Sequence, residues 1–545
     1  MGKTIGEHLK SLANQQPSQD IFVFYDADLK KTSITFKELH TLASRFAHIL
    51  REKGIKHGQA VCVSLPTSVE LAVAFYGAMM AGAMAVSCEV IMDKAQVFHH
   101  CINKSETVLL VVRTDPRDHT WQAIRNNVTG LGRGDDVAAI NDPTMPNLKN
   151  VFIANRRDKN NDVPDFLEML RSYRSTYEDT ESKDTDTCSL WLTSGTTGMP
   201  KLVMKSHRSF TDACVVEDGL IPKIPDKRFF CNAPWSWAIS SPFDVMNGGT
   251  LVQPEHWIKA EDPDKHHVNI LKTDHAVAAF LTPPEIEGIL KHWDLKKGKI
   301  IDILGVAGYP VSHAMCEWFL TVTNTLVVRY GCSELITISC NFISDINKYK
   351  DFDCGKLCVG TTVKAVNDKM EELPRGTPGR LMMSSVGVFN GYMNDPDKTN
   401  EALTEDGWYL TSDAGYIDAD GHLVVVGRYD YIIMHNNLHI YPSTIEKPIQ
   451  KLKGVKNAVV VPIPDDHNYH NICACVVREP GSKITEADVI KAVTDKYADD
   501  EYKTIVAPQH VLFIEDIKVN ERGKTNTNQI IENAINTIKG IKLDN

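Results

Sequence analysis

Thr193-Ser194-Gly195-Thr196-Thr197-Gly198-Met199-Pro200-Lys201 directly follows the short apolar run Ser189-Leu190-Trp191-Leu192. Two glycines let the backbone turn tightly and aim N–H groups at an anion. Four hydroxyl side chains add donors for phosphate oxygens, and Lys201 adds a positive charge. An apolar strand feeding such a loop is the setting a phosphate site requires. The Walker spacing G-x-x-x-x-G-K-[ST] is absent, so this is a phosphate loop of another kind.

Outward from the loop, the chain alternates helix and strand. Leu39, Leu42, Phe46, Ile49 and Leu50 recur at helical spacing between Phe36 and Arg51, and Gly54 ends that helix. Ala60–Leu65 reads as a buried strand, Val69–Ala81 as a helix stopped by Gly82, and Val108–Arg113 as the next strand. This alternation predicts an α/β fold with a parallel sheet covered by helices. The polar span Thr114–Asp186 reads as connection and surface. C-terminal to the loop, strands are predicted over Ile300–Leu304, Leu326–Val328 and Gly421–Val426. Gly427-Arg428-Tyr429-Asp430 then interrupts the pattern, and a domain boundary is expected at Arg428–Asp430. The remainder has its own strand pair, Ala458–Ile463 with Ile472–Arg478, and an amphipathic helix over Ile484–Tyr497. A chain of 545 residues is too long for one compact core, which agrees with at least two domains.

Further motifs follow in order: Ile34-Thr35-Phe36-Lys37-Glu38-Leu39, Gly308-Tyr309-Pro310, Tyr330-Gly331-Cys332-Ser333-Glu334, Thr411-Ser412-Asp413, Gly427-Arg428-Tyr429-Asp430 and Asn520-Glu521-Arg522-Gly523-Lys524-Thr525. Together with the phosphate loop, this ordered series resembles the adenylate-forming superfamily: acyl-CoA synthetases, peptide-synthetase adenylation domains and beetle luciferases. The resemblance implies a large N-terminal domain of stacked α/β sheets (residues 1–429) and a small mobile α+β C-terminal domain (residues 430–545). Gly308-Tyr309-Pro310 would lie along adenine, Tyr330 would stack on it, and Gly331 belongs to the same nucleotide wall. Ser333 would contact the α-phosphate. Asp413 and Arg428 would reach the ribose, and a carboxylate can accept from both hydroxyls. Glu334 is a hard oxygen ligand suited to Mg²⁺. Lys524 would neutralise charge developing at the α-phosphate. Asp430 falls at the hinge, where a few dihedrals absorb a rotation. Lys201 and Lys524 come from different domains, so closure assembles the site.

The activity this implies is ATP-dependent conversion of a carboxylic acid to an acyl-adenylate, then transfer to coenzyme A. Pocket candidates are Trp235, Trp237, Val306, Ala307, Gly331 and Cys332. A medium-chain fatty acid is the first expectation and an aryl acid the second. A carrier protein bearing phosphopantetheine is a less favoured acceptor. Two rival readings remain: a luciferase-like adenylating enzyme and a non-catalytic ligand-binding relative. Besides Ser333 for Thr, Tyr309 for Ala and Ser412 for Gly, four departures from the family pattern matter. Leu202 stands for Gly, Arg380 for Glu, and Met434-His435-Asn436-Asn437 for Lys-x-Gly-Gly in the loop lining the thiol passage. Pro234-Trp235-Ser236-Trp237 stands for an aromatic-His pair.

Net charge is −11, which argues against a nucleic-acid partner. The odd count of 13 cysteines without a secretion signal reads as reduced thiols, and none are spaced as a zinc site. The apolar run Leu71–Val86 is short for a membrane span and is broken by Gly77 and Gly82. With no Ser-Lys-Leu tail, the expected location is cytoplasmic, with an organelle lumen as the alternative.

Overall fold

The structure, a computed structural model, describes residues 2–88, 95–114, 119–128, 140, 142–156, 165–193, 199–218, 228–235, 244–256, 260–435, 438–465, 469–497, 507–517, 519 and 525–540. These build three sheets, of thirteen, six and five strands.

The thirteen-stranded sheet has a parallel half: Asp20–Tyr25, Thr250–Pro254, Arg228–Cys231, Ala278–Phe280, Ile301–Ala307 and Thr323–Cys332. Lys31–Thr35 closes that edge in the antiparallel sense. Past Thr323–Cys332 the sheet becomes antiparallel, through Ile336–Ile343, Asp353–Leu357, His422–Arg428, Tyr409–Ile417, Gly379–Ser385 and Thr361–Val366.

In the six-stranded sheet, Asn150–Ile153, Leu109–Val112, Ala60–Ser64, Met84–Ser87 and Thr187–Leu192 are parallel, and Leu202–Ser206 joins the last as an antiparallel partner. The Thr193–Lys201 loop therefore links two strands of a hairpin; no helix follows it directly.

Apolar patterning explains how these layers stack. The helix Phe36–Glu52 buries Leu39, Leu42, Phe46 and Leu50 along one stripe, and the Thr35 hydroxyl accepts from the Glu38 N–H at its start. The helix Val69–Met80 has every residue buried. A helix apolar on all sides belongs inside a protein or a membrane. Here it touches Ala60–Ser64 and Met84–Ser87 of one sheet and Lys31–Thr35 of the other. Gly77 lets it approach Phe36–Glu52, since a Cβ there would lie 2.8 Å from the Phe46 ring. Among the described residues, no helix is long and apolar enough to cross a membrane.

The span read as connection differs from expectation. It contains the strand Asn150–Ile153 and the helix Phe166–Ser172. The strand is four residues at a sheet edge, so only Val151 and Phe152 are buried, too few to show a period.

The five-stranded sheet begins at Ile433. Ile433–His435 pairs with Leu438–Ile440, and Val455–Asp465 pairs antiparallel with Tyr469–Arg478. His510–Ile514 runs parallel to the latter. Pro442–Gln450, Glu486–Lys496 and Thr527–Ile538 are its helices.

Candidate functional site

In a sheet whose strands run parallel, ligands collect beyond the carboxyl ends of the strands. Ile301–Ala307 and Thr323–Cys332 pair so that Ala307 faces Arg329, which sets Gly308-Tyr309-Pro310 beside Tyr330 and Gly331. The turn Ser333-Glu334-Leu335 follows, before the chain returns as Ile336–Ile343. Gly331 has a steric reason to be glycine: a Cβ there would lie 1.9 Å from the Ile336 carbonyl oxygen. Ile336 itself holds φ +68, costly backbone for a β-branched residue and a mark of a constrained turn.

The phosphate-loop hairpin meets this turn. The Thr193 N–H donates to the Lys201 carbonyl, and the Lys201 N–H donates to Thr193 Oγ1, each at 3.0 Å. These two bonds close the neck of the loop; Ser194, Gly195, Thr196, Thr197 and Gly198 lie outside the described residues. At the loop's end His100 Nε2–H donates to the Pro200 carbonyl at 2.9 Å. Residues 390–393 add to Leu202–Ser206 through backbone bonds from Met204 to Gly391, Asn390 to Met204 and Met393 to Leu202. That pairing puts Lys201 Nζ 4.4 Å from the centre of the Tyr392 ring. The Tyr392 hydroxyl in turn donates to Glu334 Oε1 at 2.7 Å. Lys201, Tyr392 and Glu334 thus form one cluster, although no sequence motif marks Tyr392.

Lys205 is likewise unmarked by any motif. It is 1 % exposed, and its ammonium donates to the carbonyls of Glu334 (3.2 Å) and Gly387 (2.5 Å). Its one sequence signal is a lysine directly after the apolar run Leu202-Val203-Met204. Burial pushes it down to about 7. The unfolded chain, with an ordinary lysine, holds the proton to higher pH than the folded chain does. Stability contributed at this position therefore rises as pH increases from about 7 toward 10. Lys205→Met is expected to remove that slope. The gap in melting temperature between wild type and variant should change steadily from pH 7 to pH 9.5 as the wild type gains stability, and a constant gap would count against a depressed lysine.

Asp413 and Arg428 are cross-strand partners, and Arg428 Nη1 donates to Asp413 Oδ1 at 3.1 Å. The Tyr330 hydroxyl donates to Asp413 Oδ2 at 2.6 Å, and burial raises the Tyr330 phenol well above its ordinary range. Tyr330, Asp413 and Arg428, distant in sequence, are thereby one constellation. Arg380, which departs from the family pattern, braces it. Its Nε donates to the Thr411 carbonyl at 2.8 Å, and its guanidinium lies 5.6 Å from the Tyr429 ring centre.

Asp430 lies in the turn Tyr429–Tyr431 between two anchored tyrosines. The Tyr429 hydroxyl donates to Asp368 at 2.5 Å, and the Tyr431 hydroxyl donates to Asn528 at 3.1 Å. One anchor is in the large sheet's neighbourhood and the other on the helix Thr527–Ile538. Lys524, Trp237, Asn436 and Asn437 lie outside the described residues.

Among the pocket candidates, Val306 is buried, Ala307 and Cys332 are half-buried and Gly331 is exposed. Trp235 is 1 % exposed, packed on Phe22, Phe75 and Tyr76, with its indole N–H on Gln253 Oε1 at 2.7 Å. No group of three or more His, Cys, Asp or Glu side chains among the described residues could cage a metal. Glu334 offers a single buried carboxylate, which suits Mg²⁺ held partly by substrate phosphates and water.

Comparison with known proteins identifies the family and the fold. The family model for AMP-binding enzymes matches residues 9–393, and that for the AMP-binding enzyme C-terminal domain matches residues 444–524. The chain is 26% identical over 511 residues to a 3-hydroxybenzoate–CoA/4-hydroxybenzoate–CoA ligase of Thauera aromatica, covering 90% of each chain. It is 24% identical over 547 residues to a mitochondrial medium-chain acyl-CoA ligase of Bos taurus, covering 96% of this chain and 86% of that one. Its fold matches ATP-bound MatB from Rhodopseudomonas palustris with a TM-score of 0.80 at 20% identity, over 99% of this chain and all of that one.

Proposed function

Because the chain belongs to the AMP-binding enzyme family, we propose that it is an AMP-forming acid–CoA ligase. The observation that carries this reading is the meeting of three parts at one edge: the Thr193–Lys201 hairpin, the Glu334 turn and the Asp413–Arg428 pair. Each part handles a different piece of ATP.

Tyr330 and the Gly308–Pro310 segment flank the adenine. Asp413 has lone pairs left beyond its bonds to Tyr330 and Arg428, and accepts the ribose hydroxyls. The phosphate loop and Lys201 grip the triphosphate. Ser333 lies next to the α-phosphate. The acid's carboxylate oxygen attacks the α-phosphorus in line, and pyrophosphate leaves. Lys524 neutralises the charge that develops there. Glu334, with Oε1 fixed by Tyr392, would hold Mg²⁺, which supplies charge neutralisation to phosphate oxygens when bound. The domain from residue 430 onward then turns about Asp430, and the coenzyme A thiol displaces AMP from the mixed anhydride. No protein nucleophile is required.

The acid is a medium-chain fatty acid, with an aryl acid as the second choice that the similarity to a hydroxybenzoate–CoA ligase favours. The reading is tested by acid-dependent ATP–pyrophosphate exchange over a panel of free acids, repeated as thioester formation with coenzyme A. Exchange with one acid class, followed by thioester and AMP, is expected. Exchange with none of the acids would overturn the assignment.

A further inference from the structure

Glu334 is held at both ends from a single strand. Lys201 directly precedes the strand Leu202–Ser206 and Lys205 lies within it, an even number of residues on, so the two side chains leave the same face. Tyr392 bridges to Val203, midway between the lysines. Lys201 lies 4.4 Å from the Tyr392 ring centre, and the Tyr392 hydroxyl donates to the Glu334 carboxylate at 2.7 Å. Lys205 takes the other end, donating to the Glu334 carbonyl at 3.2 Å.

The second bond of Lys205 extends this hold along the turn. Its amine also donates to the Gly387 carbonyl at 2.5 Å. The Gly387 N–H donates to Ser385 Oγ at 3.1 Å, and the Ser385 hydroxyl donates to the Leu335 carbonyl at 3.4 Å. Two successive carbonyls of the turn are therefore bonded from below, one by the lysine and one by the serine, and Gly387 joins the two donors. Between them the Leu335 N–H donates to the Cys332 carbonyl at 3.2 Å. The next residue, Ile336, holds φ +68. Backbone of that kind persists where its surroundings over-determine it, and this bracket does so.

A side chain needed only to fill space at residue 205 would be apolar, as Leu202 and Val203 are on the same strand. Burying an amine is costly unless its hydrogen bonds are met. What lysine adds is a long stem carrying at least two N–H donors, in either protonation state, and both carbonyls it meets use them.

We propose that Lys205 is a positioning residue for adenylate formation: by holding the Glu334 and Gly387 carbonyls it fixes the Ser333–Leu335 turn where Ser333 and Glu334 meet the α-phosphate and its metal. At 1 % exposure it acts through that turn and not on the substrate. This rests on the acid–CoA ligase reading and adds a residue to it.

Lys205→Met keeps a stem of similar length and removes the donors. In acid-dependent pyrophosphate exchange, kcat is expected to fall at least about tenfold while KM for the acid moves less than about twofold. Ligand-observed NMR titration gives a readout independent of turnover. Adenosine, which lacks the phosphates, should bind the variant and wild type within about threefold of each other, whereas Mg·ATP should bind the variant about tenfold more weakly. A lysine that serves stability alone would lower the melting temperature and leave kcat and both affinities unchanged, which overturns the proposal. Equal weakening of adenosine and Mg·ATP also overturns it, because the damage would not be confined to the turn. Ser385→Ala removes one neutral bond of the same bracket and should show the same split, with Mg·ATP weakened about threefold. If Lys205→Met fails to fold, that variant decides, and equal shifts for the two ligands, or none, count against the bracket. Wild-type protein that exchanges no acid sinks the ligase reading, and the two titrations still test the bracket.

Discussion

Gly331→Ala is expected to reduce acid-dependent pyrophosphate exchange by about 100-fold or more. The argument is one of contact distance. An alanine Cβ would sit 1.9 Å from the Ile336 carbonyl oxygen, whereas ordinary contact begins at 3.4 Å. The obstacle is backbone, so no rotamer change relieves it. The return strand or the turn itself has to shift by more than about an ångström, and displacements of that size at a reacting centre cost about 100-fold in rate. The turn has little slack, because the Leu335 N–H is bonded to the Cys332 carbonyl and Lys205 holds the Glu334 carbonyl from below. The residues displaced are Ser333 and Glu334, proposed to meet the α-phosphate and Mg²⁺. Circular dichroism should show a folded protein, since the clash is confined to one hairpin end. Exchange within threefold of wild type would mean that this turn does not carry the chemistry.

The same turn shows what a sequence can and cannot reveal. Tyr330-Gly331-Cys332-Ser333-Glu334 is local, so its residue order is visible without a structure. The helix over Phe36–Glu52 and the strand at Ala60–Ser64 are legible for a related reason: a stripe or a run of buried residues leaves its period in the chain. The Thr193–Lys201 stretch stands out in the sequence because its candidate chemistry lies in consecutive residues. Tyr392 does not. Nothing in Phe389-Asn390-Gly391-Tyr392 hints that this segment pairs with Leu202–Ser206 and covers Lys201. Arg380 has a visible oddity but no visible partner, because Thr411 and Tyr429 reach it only through sheet register.

Trp235 makes a related point. An aromatic residue next to a gate-like motif invites a pocket role, and side-chain type alone does not separate that from packing. Its indole is enclosed by Phe22, Phe75 and Tyr76, which come from a strand and a helix far upstream. Burial of a large aromatic against three others stabilises the junction between the two large sheets, and edge-to-face pairs add about 0.5–1.5 kcal/mol each beyond the area they bury.

Asp430→Pro is expected to separate the two half-reactions, cutting thioester formation about 100-fold or more while pyrophosphate exchange falls less than about tenfold. The rotation proposed at Asp430 has to be absorbed by very few dihedrals. Tyr429 on one side is tied to Asp368 and faces Arg380, and Tyr431 on the other is tied to Asn528. Flexing therefore concentrates between them. Proline holds φ near −65°, which a turn of 3₁₀ type already uses, so the observed arrangement is tolerated at residue 430 itself. Proline also disfavours helical backbone at Tyr429, which accounts for the modest loss allowed in exchange. What it removes is the freedom to adopt a second value. A further contact has to part in the same motion: Lys447, on the helix Pro442–Gln450, reaches Asp351 at 3.5 Å and sits 4.4 Å from the Phe352 ring centre. Asp430→Ala keeps the backbone free and is the control, expected to retain both half-reactions within about threefold. Single-turnover assays measure each half directly, as acyl-adenylate from acid and ATP, and as thioester from preformed adenylate and coenzyme A. Equal loss of both halves in the proline variant, or loss of thioester formation in the alanine control, would place the pivot elsewhere in the chain.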